Sequence, residues 1–213
     1  MELGINMDIL KIAEEAVKAR QGNRPKYDEA HVVMALEIIM QEQPIGRMSI
    51  MKRLDLSEAP TKTLVRRLRE LNVIKVDKVG GAELTELGKR AVEEWKRAVS
   101  IHSTRLNSIN WDTMEIVIRR GVKILERMGI INLRDTVIKN GAESTLIAVV
   151  TDKGIELPPK TDELSMGNLL QEIRESCPTC APGDLIVFVT PQNKYIAYKV
   201  AVNLVKYEGR VSG

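Results

Sequence analysis

Aromatic side chains are nearly absent from this chain: one Phe, two Trp and four Tyr, 3% of its residues. So few rings provide no platform on which successive bases of a single nucleic-acid strand could stack. Cysteine and histidine are equally scarce, two of each. Two cysteines do not make a disulfide framework. A tetrahedral zinc site needs four ligands, and the one close cysteine pair supplies two. No apolar run reaches the ~18 residues of a membrane span. The first residues lack a basic leader followed by an oily core, so the sequence points to a cytoplasmic protein that engages no membrane. No phosphate-binding glycine loop, metal-ligand cluster or nucleophile with a visible partner is present. The expectation is therefore a non-enzyme without a cofactor, with His31 a structural residue on its helix.

What remains is aliphatic and charged. Apolar residues make up 44% of the 213, enough to bury a core in two modest domains. The formal net charge is only +3, but it is unevenly placed. Residues 1–110 hold 19 Lys and Arg against 16 Asp and Glu, whereas residues 111–213 hold 13 of each. Between residues 47 and 78, nine basic side chains face four acidic ones. Such a patch suits a polyanion.

The patch coincides with a legible motif. Helices are expected over Met7–Arg20, Glu29–Glu42 and Arg47–Leu54, the second capped by Asp28 and the third burying Met48, Met51 and Leu54. Asp55-Leu56-Ser57 is a turn, and Ser57 caps a helix running to about Leu71. In that helix Leu64, Leu68 and Leu71 recur at i, i+4 and i+7 and form the buried stripe. Thr61, Lys62, Arg66 and Arg69 turn away from it, with Thr63 and Arg67 on the flank. Val73–Val76 reads as a strand, Gly80-Gly81 as a hairpin turn, and Leu84 as the returning strand. A long helix follows from Thr85 to about Val99.

This order resembles the winged-helix family of transcription regulators. The resemblance rests on Leu56-Ser57, on Thr61-Lys62-Thr63-Leu64-Val65-Arg66-Arg67-Leu68, on Leu71-Asn72-Val73-Ile74 and on Leu84-Thr85-Glu86-Leu87-Gly88. It covers residues 27–99. Asn72 stands where many members have Gly, and Pro60 where a β-branched residue is common. The resemblance implies binding of double-stranded DNA, with Thr61, Lys62 and Arg66 at base edges. Arg67, Arg69, Lys52 and Arg53 would then lie against phosphates, Lys75 and Lys78 would sit on the wing, and Thr63 would flank the recognition face. It also implies a homodimer on a two-part site, joined through a leftover apolar face of helix 7–20 or helix 85–99.

Residues 101–110 are polar and read as a linker between a domain over 1–100 and a second over 111–213. The second domain reads as β-α-β-β-α-β plus a final helix, the order of a ferredoxin-like sandwich. Its strands are expected over 113–119, 144–150, 155–157 and 184–190, and its helices over 133–140, 164–176 and 194–205. The overall class is thus α+β. The two-domain layout, with Arg134-Asp135 and Gly141-Ala142, resembles a group of uncharacterised archaeal proteins that join a winged helix to an α+β domain of unknown function. Arg134 and Asp135, read as the start of a helix, could bind an anion with Gly141 nearby, making a small-molecule effector site. Their simpler reading is a helix first turn with surface charges. Cys177-Pro178-Thr179-Cys180 has three readings: a stiffened loop with inert or disulfide-bonded cysteines, a redox switch, or half of a metal site shared between subunits.

The expectation that combines these readings is a DNA-binding regulator whose second domain senses a ligand or dimerises. The alternatives are an interaction scaffold that reuses a winged helix, and an enzyme with its site in the C-terminal domain.

Overall fold

The computed structural model describes residues 8–159 and 166–211. The chain divides into two compact units, residues 1–96 and 97–213. It is a mixed α+β protein with a helical N-terminal part and a C-terminal antiparallel sheet.

The first unit is built from α1 (Asp8–Val17), α2 (Glu29–Glu42), α3 (Arg47–Leu54), α4 (Glu58–Glu70), the hairpin β1 (Ile74–Asp77) and β2 (Gly81–Leu84), and α5 (Glu86–Ala98). The Asp28 cap forms as the sequence predicts. The His31 backbone N–H donates to the Asp28 carboxylate, and the Asp28 N–H donates back to His31 Nδ1, a capping box. His31 is thereby accounted for as a structural residue. Ser57 holds the N-cap position of α4 without a side-chain cap bond. Asn72 has φ 58°, the left-handed turn that asparagine tolerates, and releases the chain from α4 into β1.

The hairpin is anchored to the helices. Ile45 and Ala82 exchange both backbone hydrogen bonds, at 3.0 and 2.8 Å. Gly81 lets the strands approach there: its φ is +95°, and a Cβ on it would lie 2.6 Å from the Ile45 carbonyl oxygen. The three-residue tip Lys78-Val79-Gly80 is held by Asp77, whose carboxylate accepts from the Val79 and Gly80 N–H groups. These bonds hold the Asp77 carboxyl below its usual range.

Side-chain placement departs from expectation in α3 and in both proposed dimer helices. Met48 is 54% exposed, and Ile50 is buried with Leu54. The apolar faces of α1 (Ile9, Leu10, Ala13, Ala16) and α5 (Ala91, Val92, Trp95) are buried within the chain. Leu87, at the start of α5, is 37% exposed.

The second unit contains β3 (Val99–Leu106), a 3-10 turn at Asn107–Ile109, β4 (Trp111–Ile118), α6 (Val122–Met128), α7 (Ile130–Lys139), β5 (Ser144–Thr151), β6 (Gly154–Glu156), α8 (Gly167–Ser176), β7 (Leu185–Thr190) and α9 (Lys194–Val211). Leu164 and Ser165, expected to open α8, lie outside the described residues. The five strands run in the order β3-β4-β7-β5-β6, each antiparallel to its neighbour.

Two expectations fail here for one reason. Residues 101–110 are not a linker: β3 pairs with β4 along its full length, from Val99 opposite Ile118 to Leu106 opposite Trp111. As an edge strand it exposes His102, Ser103 and Arg105, which accounts for its polar composition. The sheet is also not the ferredoxin-like arrangement. That fold places its first and third strands at the centre, whereas here β5 and β7, the second and fourth of the β-α-β-β-α-β series, lie inside. The extra strand β3 occupies the side of β4 where β6 would otherwise pair, and β6 forms the opposite edge. Each crossover still skips one strand, so the split β-α-β principle survives.

Gly81→Ala should shift the denaturant midpoint down by about 1–3 kcal/mol of stability, because a methyl must displace the Ile45 carbonyl at a left-handed position. Equilibrium urea unfolding checks this; an unchanged midpoint would contradict the hairpin anchoring.

Candidate nucleic-acid interface

Helix α4 has two chemically opposite faces. Leu64 and Leu68 are fully buried, and Pro60, Thr61 and Arg67 are buried beside them. At about 100° per residue, Lys62, Arg66 and Arg69 fall within roughly 60° of one another on the far side. All three are exposed. Thr63 and Val65 lie between the two faces and are half-buried. Lys75 and Lys78 are exposed on the hairpin, and Lys52 and Arg53 at the end of α3.

Two expected contact residues are on the wrong side. Thr61 is fully buried, and its hydroxyl donates to the Ser57 carbonyl at 2.9 Å. Arg67 is buried under the end of α1, where Nη1 donates to the Ala16 and Lys18 carbonyls at 2.8 and 2.6 Å. Position 67 follows Leu64 by three residues, which rotates it inward. The last turn of α1 has no basic residue of its own, and Arg67 supplies the cation that its carbonyl end favours. The Tyr27 hydroxyl also donates to Ala16 O, at 2.7 Å. Burial raises the Tyr27 pKa, opposed by the Arg67 charge.

Several remaining cations are partly neutralised. Arg53 pairs with Glu42 at 2.8 Å and Lys75 with Glu83 at 3.0 Å. Glu70 takes Arg20 at 2.6 Å, which holds its carboxyl below the usual range, and stands 3.9 Å from Arg66. Exposed pairs of this kind exchange readily for a stronger anion. Among the described residues no ion pair is recorded for Lys52, Lys62, Arg69 or Lys78.

The expected effector residues do not converge. Helix α7 begins at Ile130, so Arg134 and Asp135 lie mid-helix and exposed, away from any free N–H groups. Gly141 sits beyond the helix with φ +107°, facing Ile196. Cys177 and Cys180 are joined in a buried disulfide. Sulfurs bonded to each other offer no thiolate to a shared metal while the bond is intact.

One buried group escaped the sequence reading. Glu115 on β4 is fully buried, with neither carboxyl oxygen hydrogen-bonded. His102 lies opposite it across the β3–β4 ladder, with Nε2 3.6 Å from Oε2. Ser176 is close, but its hydroxyl donates to Ile173 O, so we assign it no bond to Glu115. Burial raises the Glu115 pKa, opposed by the charge of a nearby His102. Period-2 alternation placed this glutamate on a packed face, and only the unread strand β3 would have revealed it.

Comparison with known proteins adds fold and no activity. A family model described as a domain of unknown function (DUF4443) matches residues 109–208, within the second unit and beginning after β3. A solved structure of a hypothetical protein from Pyrococcus horikoshii OT3 is similar over 87% of this chain and 95% of its own, with TM-score 0.64 and 22% identity. None of the curated proteins matches.

Arg67→Ala should lower stability by about 2–4 kcal/mol, since it removes the guanidinium's bonds to Ala16 O and Lys18 O and opens a cavity; chemical denaturation reads this, and a neutral result would refute the lock on α1. For Glu115 the folded pKa is raised, so its contribution to stability is full below the unfolded value and is lost as pH rises through the folded one. Glu115→Gln should therefore stabilise the protein at pH 8 and remove that decline; thermal melts across pH 4–8 that are parallel for both proteins would contradict it.

Proposed function

We propose that the first unit is a winged-helix module that binds double-stranded DNA, and that the protein is a transcription regulator. The observation that carries this reading is the exposed stripe Lys62, Arg66 and Arg69 on α4, set opposite the buried leucines. The order α2-α3-α4-β1-β2-α5 and the bridge from Ile45 to the hairpin support the same module. In this reading α4 enters the major groove. Arg66 suits bidentate contact with guanine, while Lys62, Arg69, Lys52 and Lys78 neutralise phosphates. Thr63 reaches the groove from the helix flank. Arg53 and Lys75 reach phosphates once they exchange their glutamates. Thr61 and Arg67 take no part in contact; Arg67 positions α4 from beneath.

A protein partner for the same module is favoured by exposed apolar residues at its rim, Met48 and the hairpin-tip Val79, which is 98% exposed. Such residues suit a partner surface more than a phosphate backbone. Salt dependence separates the two readings.

Binding to random-sequence duplex DNA should weaken steeply with salt. Replacing Lys62, Arg66 and Arg69 with Ala should flatten the slope of log K against log salt by about 2–3. Fluorescence anisotropy over a salt series measures both. Equal affinity and slope in the triple variant, with its melting temperature preserved, would overturn the reading.

A further inference from the structure

The second unit carries a pocket of about 350 Å³ between α6, α7 and α9. Its lining is Arg127, Met128, Asn132, Thr136, Lys206 and Tyr207, with Asn203 completing the wall. Local structure explains why a concavity forms here. Gly129 joins α6 to α7 at φ +76° and ψ 155°, a conformation essentially restricted to glycine, and the corner it makes splays the two helices. Helix α9 closes the third side.

The chemistry of the walls is specific. Among the described residues the charged side chains that line it are Arg127 and Lys206, both cations; each has contacts of its own, and the buried Glu208 carboxyl lies near enough to interact with Arg127. Asn132 Nδ2 donates to the Met128 carbonyl at 2.9 Å, so the end of α6 does not turn a bare carbonyl toward them. Asn203 Nδ2 donates to Asn140 Oδ1 and to Lys199 O, at 2.9 and 2.8 Å. Both Nδ2–H groups of Asn203 are thus used and one of Asn132 is, and each amide keeps its carbonyl oxygen as an acceptor. Met128 and the Tyr207 ring provide apolar surface, and the Tyr207 hydroxyl adds a polar group. Two cations, two amide acceptors and a small apolar wall are the elements of a selective site for a small polar molecule.

We propose that this pocket binds a small organic anion: a carboxylate or phosphate held by Arg127 and Lys206, with a neighbouring hydroxyl or amino group donating to Asn132 and Asn203. The site lies on the same helix as Arg134 and Asp135, but on the face that carries Asn132 and Thr136. It does not depend on the DNA-binding reading, since every residue belongs to the second unit.

The test uses the full-length chain with two probes, inorganic phosphate and malate, a hydroxy dicarboxylate. Side-chain amide resonances of Asn132 and Asn203 are followed by heteronuclear NMR during titration. At least one probe should give saturable shifts with an apparent Kd in about the millimolar range or tighter. Arg127→Gln and Lys206→Gln should each weaken it by about tenfold or more, while Arg134→Gln leaves it unchanged. Absence of a saturable shift with either probe overturns the proposal, as does full binding by a folded Arg127→Gln variant.

Discussion

Burial of Leu64 and Leu68 fixes the rotation of α4 about its own axis, and the character of the first unit follows from that rotation. Each fully buried leucine contributes roughly 1.5–3 kcal/mol. A rotation that hid Lys62, Arg66 and Arg69 would have to expose both leucines and desolvate three cations. The helix therefore has one stable setting, and that setting presents its cations to solvent. The hairpin is held to the same body by the exchange of hydrogen bonds between Ile45 and Ala82. Helix and hairpin thus present their charges from one support, as the proposed docking into a groove needs.

Arg67 shows how composition can mislead about charge. It belongs to the run that makes residues 47–78 basic, yet its guanidinium is spent on the carbonyl end of α1. Arg53, Arg66 and Lys75 meet glutamates at the surface. The usable positive field is consequently narrower than the sequence total, and it is concentrated at Lys52, Lys62, Arg69 and Lys78. A narrower field makes the proposed binding more dependent on α4 itself.

The helices of the first unit were legible because each carries its own stop and start: Asp28 before α2, Pro44 and Gly46 after it, Asn72 after α4. Side-chain rotation was legible only to within about one residue. Arg67 and Thr61 lie near the edge of the buried arc, where packing against α1 decides the outcome and local pattern does not. In the second unit the central strands announced themselves by continuous Val, Ile and Leu. Strand β3 did not, because an edge strand with one partner has no need of apolar residues on its open side. Missing it also hid the strand order and the burial of Glu115. Helix α6 was missed for its brevity, and with it the start of α7, so Arg134 and Asp135 were expected at a helix start near residue 133 that in fact lies three residues earlier, at Ile130.

The central claim is that the outward face of α4 meets duplex DNA. Backbone amide mapping by NMR on addition of a random-sequence duplex tests it most directly. The account predicts shifts concentrated at Lys62, Arg66, Arg69 and the hairpin tip around Lys78, with Leu64, Leu68 and the second unit left largely unmoved. Shifts confined to the second unit, or none at duplex concentrations well above the protein's, would contradict it.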